Sequence, residues 1–145
     1  MVFSAFFRGI ILLLVLTSLI GCTKNSDINL NGVEKLKNNE EVNAILEFVE
    51  DQKAKLPLQV DYYTVWVDIN FIDNKLIYIY KISSSAISEQ QVGEMKRYYY
   101  SNPKKDEICK SIKDLLEMKI VYEYKYINMN GDELVSIPFD EKMCS

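Results

Sequence analysis

Side chains able to do chemistry are few in this chain. There is no histidine, which removes Ser-His-Asp and Cys-His nucleophiles, imidazole metal ligands and the commonest acid/base group near neutral pH. The thiols are Cys22, Cys109 and Cys144, and no CxxC pair is present to tune one of them. Carboxylates are plentiful, and Asp68, Asp73, Glu123 and Asp132 fall on or beside expected strands. Paired-carboxylate catalysis needs two groups at a fixed separation across a substrate. Nothing in the spacing makes any two of these converge, so they read as solvated charge. A Gly-rich phosphate loop, a G-x-S-x-G elbow and EF-hand spacing are all missing from the sequence. The expectation is a protein that is not an enzyme, with no catalytic residue, metal site or cofactor.

The thiols belong to different settings. Residues 1 to 22 carry one early cation, Arg8, then an apolar run from Gly9 to Leu16, then small residues. That run is too short for the 18 or more residues a spanning helix needs, so it reads as an export signal. Its ending, Leu19-Ile20-Gly21-Cys22, resembles the lipobox of bacterial lipoprotein signal peptides. The resemblance implies cleavage before Cys22, acylation of Cys22, and a stable hold on a membrane through two or three acyl chains. Thr23, rather than Asp, after the Cys implies the outer membrane by the sorting pattern of such lipoproteins. Loss of residues 1 to 21 removes Arg8 and takes the formal charge from -4 to -5. With Cys22 acylated, Cys109 and Cys144 are the remaining thiols in an oxidising compartment, and a structural disulfide between them is expected rather than a redox pair.

An acidic balance of 17 Lys+Arg against 21 Asp+Glu gives no electrostatic footprint for nucleic acid. The run Lys96-Arg97-Tyr98-Tyr99-Tyr100 to Lys104-Lys105 interleaves cations with rings as single-strand binders do. On an acidic exported domain, exposed Tyr98 and Tyr100 fit a protein partner better.

The elements that must position these residues follow from hydrophobic spacing. Residues 23–32 are polar, without a period, and read as a tether; residues 33–145 read as a single domain. Val42, Ile45, Leu46 and Val49 mark an amphipathic helix ending near Leu56, before Pro57. Alternation over Tyr62 to Ile69 and the run Leu76 to Ile82, separated by Asp73-Asn74, predict a hairpin. Ser88 and Gln91 form a capping box ahead of Val92, Met95 and Tyr99. Asn102-Pro103 breaks that helix, and Ile108, Ile112, Leu115 and Leu116 mark the next. Ile120 to Tyr126, the Asn130-Gly131 turn with positive φ, and Glu133 to Phe139 predict a second hairpin. The expected fold is α+β: about four largely antiparallel strands in two hairpins, two to three helices, and one disulfide.

With Tyr63, Val65, Val67, Leu76, Tyr78 and Tyr80 on the core face, Trp66, Ile77 and Ile79 are left on the other. A one-sided sheet should be polar there. Either the Val42–Val49 helix covers that face, giving three layers, or it docks a peptide or helix of another protein.

The C-terminal half, residues 92 to 144, resembles the small α/β pilotin lipoproteins of type II secretion. The shared order is a Cys, a helix, the strand Ile120-Val121-Tyr122-Glu123-Tyr124-Lys125-Tyr126, the Asn130-Gly131 turn, a last strand and a closing Cys144. In the family the first Cys comes just before an Asp/Asn-Pro pair, whereas here Asn102-Pro103 precedes Cys109. The resemblance implies a non-catalytic chaperone, lipid-anchored in the outer membrane and facing the periplasm, that binds the C-terminal segment of a secretin subunit. A second reading of the same anchored domain is a phage or plasmid exclusion or inhibitor lipoprotein.

Overall fold

The structure, a computed structural model, describes residues 30–83 and 87–145, with side-chain surroundings from residue 39 onward. The leader, Cys22 and residues 23–29 of the expected tether lie outside the described residues. Helix α1 begins at Leu30, so the last three tether residues are helical.

α1 spans Leu30–Lys53. It buries Ile45 and Val49 while Leu46, one step round the helix, stays exposed. Its last turn unwinds through Lys55 N–H to the Gln52 carbonyl and Leu56 N–H to the Lys53 carbonyl, directly before Pro57. A two-residue strand follows, β1 (Leu58–Gln59), and then the hairpin of β2 (Thr64–Ile72) and β3 (Lys75–Ile82). Asp73 and Asn74 turn that hairpin with φ of 51° and 58°; these are the left-handed conformations that short polar residues tolerate and that match strand twist.

Ser88 caps α2 (Glu89–Tyr100) with both halves of the capping box formed. α3 (Lys104–Ser111) and α4 (Lys113–Glu117) meet at Ile112, so the single expected helix is two short ones. Lys119, at φ 61°, ends α4. β4 (Val121–Ile127) and β5 (Glu133–Phe139) complete the sheet. In their turn only Gly131 has positive φ, at 91°. Asn128 does the remaining work there: its side-chain oxygen accepts the N–H groups of Asn130 and Asp132, each at 2.9 Å.

The sheet order is β1-β2-β3-β4-β5. β2 to β3 and β4 to β5 are the expected antiparallel hairpins, but β3 and β4 run parallel, Leu76 beside Tyr122 and Tyr80 beside Tyr126. The largely antiparallel expectation of four strands is thus corrected to a mixed sheet of five. The cause is the α2 to α4 crossover, which carries the chain back to the end of the sheet where β3 began; parallel neighbours require such a connection.

All four helices pack on one face. Ile45 and Val49 of α1 join Ile69, Leu76, Tyr78 and Ile120 in one buried cluster. Ile108 and Ile112 join Ile82, Tyr126, Val135, Ile137 and Phe139 in a second, with Val92, Met95 and Tyr99 of α2 against it. Tyr80, Leu115, Tyr122 and Tyr124 touch both clusters. Each fully buried aliphatic or aromatic side chain here stabilises by about 1.5–3 kcal/mol. Cys109 on α3 and Cys144 beyond β5 form the disulfide, with Cα atoms 5.5 Å apart.

Candidate docking interface

The sheet is two-sided in composition but one-sided in packing. Register places Asn70, Ile77, Glu123 and Pro138 in one row across the uncovered face and Asp68, Ile79, Lys125 and Ser136 in the next. No described element lies over Ile77 and Ile79, which are half-buried by their neighbours alone. α1 goes instead to the opposite face, so the three-layer alternative is corrected to two layers among the described residues. Polar groups on the open face are held by one another. Glu123, 8% exposed, accepts the Ser136 hydroxyl at 2.7 Å, and Lys125 pairs with Glu133 at 2.7 Å. Lys75 and Lys81, at the two ends of β3, have no ion pair among the described residues. The result, among the described residues, is an isoleucine pair bordered across the sheet by polar side chains and along β3 by Lys75 and Lys81.

Trp66 is not part of that face. A bulge between Trp66 and Asp68 shifts the alternation of β2, so Trp66 and Ile69 both point toward the helices. The indole stacks on Tyr78 and Tyr80, with ring centroids 5.3 and 6.4 Å away, and its N–H donates to the Asp68 carbonyl at 2.9 Å. The same bulge puts Val65 opposite Lys81 on the open side. Asp68 holds the bulge by accepting the Ile69 N–H at 2.9 Å. The core set read from simple alternation was right for Leu76, Tyr78 and Tyr80 and wrong for Tyr63 and Val65.

Tyr63 belongs to a turn that spacing missed. The Asp61 carboxylate accepts the N–H groups of Tyr63 and Thr64 at 2.8 and 2.9 Å, and Gln59 reaches the Asp61 carbonyl. This bonded turn carries Leu58, Val60, Tyr62 and Tyr63 outward, Tyr62 being 85% exposed. The Asp beside two tyrosines was the available signal, since Asp side chains close turns on the N–H two residues on.

The helical candidates separate as well. Tyr98 is exposed on α2, edge-on to Tyr99. Tyr100 packs edge-to-face on Phe139, centroids 5.8 Å apart; burial, then the charges of Asp140 and Glu123, raises its pKa. The structure therefore brings Ile77 and Ile79 together and leaves Trp66, Tyr98 and Tyr100 elsewhere.

The covered face carries a bank of tyrosines. Burial pushes Tyr78 up to about 12, and burial is also the first cause of the raised values of Tyr80, Tyr99, Tyr122, Tyr124 and Tyr126. The Tyr99 and Tyr126 hydroxyls hydrogen-bond to each other. These phenols stay protonated at neutral pH, so they serve as neutral donors and packing surface, not as bases. Among the described residues no group of His, Cys, Asp and Glu could hold a metal ion, and no helix is long and apolar enough to cross a membrane.

No protein-family model and no curated protein matches the chain. Solved structures do. A Pseudomonas aeruginosa protein classed as secreted is 15% identical, with 76% of this chain and 97% of that one covered at a TM-score of 0.57. The AspS pilotin of the Vibrio cholerae type II secretion system is 13% identical, covering 76% and 98%, at 0.49. EpsS, the pilotin of the Vibrio vulnificus type 2 secretion system, is 14% identical, covering 75% and 96%, at 0.52. At these identities the likeness is one of fold: this chain is built on the same α+β plan as the pilotin EpsS.

Proposed function

We propose that this protein is a non-catalytic docking chaperone of the bacterial envelope, lipidated at Cys22, with residues 22–32 joining residues 33–145 to the outer membrane from the periplasmic side. Its partner is a membrane-bound assembly protein, the C-terminal segment of a secretin being the first candidate. The observation that carries this reading is the open sheet face, on a fold shared with a pilotin. The isoleucine pair of Ile77 and Ile79, bordered along β3 by Lys75 and Lys81, suits an amphipathic segment with an apolar stripe and acidic ends. The docked stripe would supply the layer that the sheet lacks on this side.

The test is co-expression with the secretin of the same host, followed by capture through this protein. The reading expects Ile79→Asp to lose the secretin while the thermal melt is unchanged, and Cys22→Ser to accumulate as unprocessed precursor without incorporated palmitate. Capture that survives Ile79→Asp refutes the docking face. Unaltered processing of Cys22→Ser refutes the anchor.

A further inference from the structure

We propose that the aromatic rings on the covered face are an electron relay, which carries an oxidising hole from Trp66 to the exposed ring of Tyr98. Trp66 is the only tryptophan in the chain. From it, centroid steps of 5.3 Å to Tyr78, 4.9 Å to Tyr122, 5.0 Å to Tyr124 and 4.9 Å to Tyr99 cross the sheet to α2. A second route goes 6.4 Å to Tyr80, 5.2 Å to Tyr126 and 6.3 Å to Tyr99. Both converge on Tyr99, and Tyr98 lies 5.4 Å beyond it.

The identity of these residues is a separate observation. A core that needed only ring packing would take phenylalanine, because every buried hydroxyl must find a partner or lose its hydration. Six tyrosines stand here instead, and what tyrosine adds to phenylalanine is a phenol that a one-electron oxidant can oxidise.

The chemistry balances as follows. A radical oxidant of the oxygen-centred or carbonate class takes one electron from the indole of Trp66 and leaves as its reduced anion. The indole N–H is held by the Asp68 carbonyl, which is no base, so the oxidised ring keeps its proton as a radical cation. That cation regains one electron through the relay. Tyr98 supplies it, forming a neutral tyrosyl radical and releasing its hydroxyl proton to water. Interior rings are poor resting places for the hole, because burial holds their protons on. Tyr98, 58% exposed, has water to accept its proton. The tyrosyl then takes a hydrogen atom from a small thiol or enediol reductant, or couples to a second tyrosyl as dityrosine. Damage is thereby moved from a half-buried tryptophan stacked on the sheet to a replaceable surface position.

Pulse radiolysis of the full-length protein with the azide radical at neutral pH tests this, since that oxidant selects tryptophan. The relay requires the tryptophanyl absorbance to convert into the tyrosyl absorbance in a first-order process whose rate is independent of protein concentration. Conversion that speeds up with protein concentration, or a tryptophanyl radical that persists, overturns it. Peptide mapping of the products supplies the second arm. In Tyr99→Phe, where both routes are cut, oxidation at Tyr98 should fall severalfold and oxidised Trp66 should rise, while Tyr62→Phe, off the path, should match the parent. Unchanged oxidation at Tyr98 in Tyr99→Phe also overturns the proposal.

Discussion

Replacing Cys109 and Cys144 together by alanine removes the covalent link between α3 and the segment after β5. The two residues are 35 apart in sequence. Releasing a loop of that length in the unfolded chain costs about 3.8 kcal/mol of stability by chain entropy. The loop encloses the end of α3, all of α4 and both β4 and β5, so the native contacts it spans are extensive and do not need the bond to exist. For a unit the length of Asn31–Ser145, an unfolding entropy of about 2.1 cal/mol/K per residue turns that loss into a fall of roughly 16 °C in Tm. Both sulfurs also pack on the second buried cluster, so truncation to alanine adds to the fall. Circular dichroism melts of the oxidised protein, the double variant, and the parent under reductant make the comparison. Native spectra should agree among the three, and the reduced parent should melt well below the oxidised protein, with the double variant lower still by the lost sulfur packing. A fall of less than about 5 °C, set against the entropy scale above, would refute the argument that the bond acts through the unfolded chain.

The remaining predictions separate the two faces of the sheet and test the turns. Trp66→Ala should destabilise by about 2 to 4 kcal/mol, by the cost of truncating a large packed ring, whereas Ile79→Ser on the open face should cost about 1 kcal/mol or less; urea melts read both. Gly131→Ala places a Cβ at φ 91° and should cost about 1 kcal/mol through backbone strain, although no atom lies within 4 Å of that Cβ. Alkaline titration should show the buried tyrosines ionising late. Tyr78 holds its proton up to about 12 against an ordinary 10.0, so the folded state binds protons that the unfolded state releases. Its contribution is full below pH 10 and is lost as pH rises toward 12. Stability measured by denaturant at pH 9, 10, 11 and 12 should fall across the upper half of that series, and a flat profile contradicts it.

Local spacing located the helices, the capping box and both hairpins, because each is written in neighbouring or equally spaced residues, whereas Cys109 and Cys144 were paired by elimination, as the thiols left once Cys22 is set apart. The parallel joint of β3 and β4 is not local: it depends on which end of the sheet the crossover returns to, and no spacing between residues 83 and 120 records that. The misplacement of Trp66 has a narrower cause. Alternation assumes a period of two, and the bulge adds one residue, which reverses the facing of everything before it. Val65 and Trp66 exchanged sides for that reason, while Ile69 onward fell on the same side as Leu76 and Tyr78. The candidate face survived in part because Ile77 and Ile79 sit on β3, which has no bulge. The outward set Leu58, Val60, Tyr62 and Tyr63 was illegible to hydrophobicity alone, which assigns large apolar residues to cores.

The parallel pairing of β3 with β4 also sets the order in which this chain can become a protein. Each hairpin closes over a short loop, but the seam between them waits for the residues from Ser83 to Ile120 to be made and folded back. Until then Tyr78 and Tyr80 lack Tyr122, Tyr124 and Tyr126 as neighbours, and Ile69 and Leu76 lack Ile120. Neither hairpin can bury its own rings, and isolated two-stranded hairpins are marginal in water. The nascent first half therefore has α1 for part of its cover but leaves the β3 edge unpaired, and the slow step is a single long-range closure. Hydrogen exchange should accordingly report β2 and β5, at opposite sides of the seam, opening together rather than in turn.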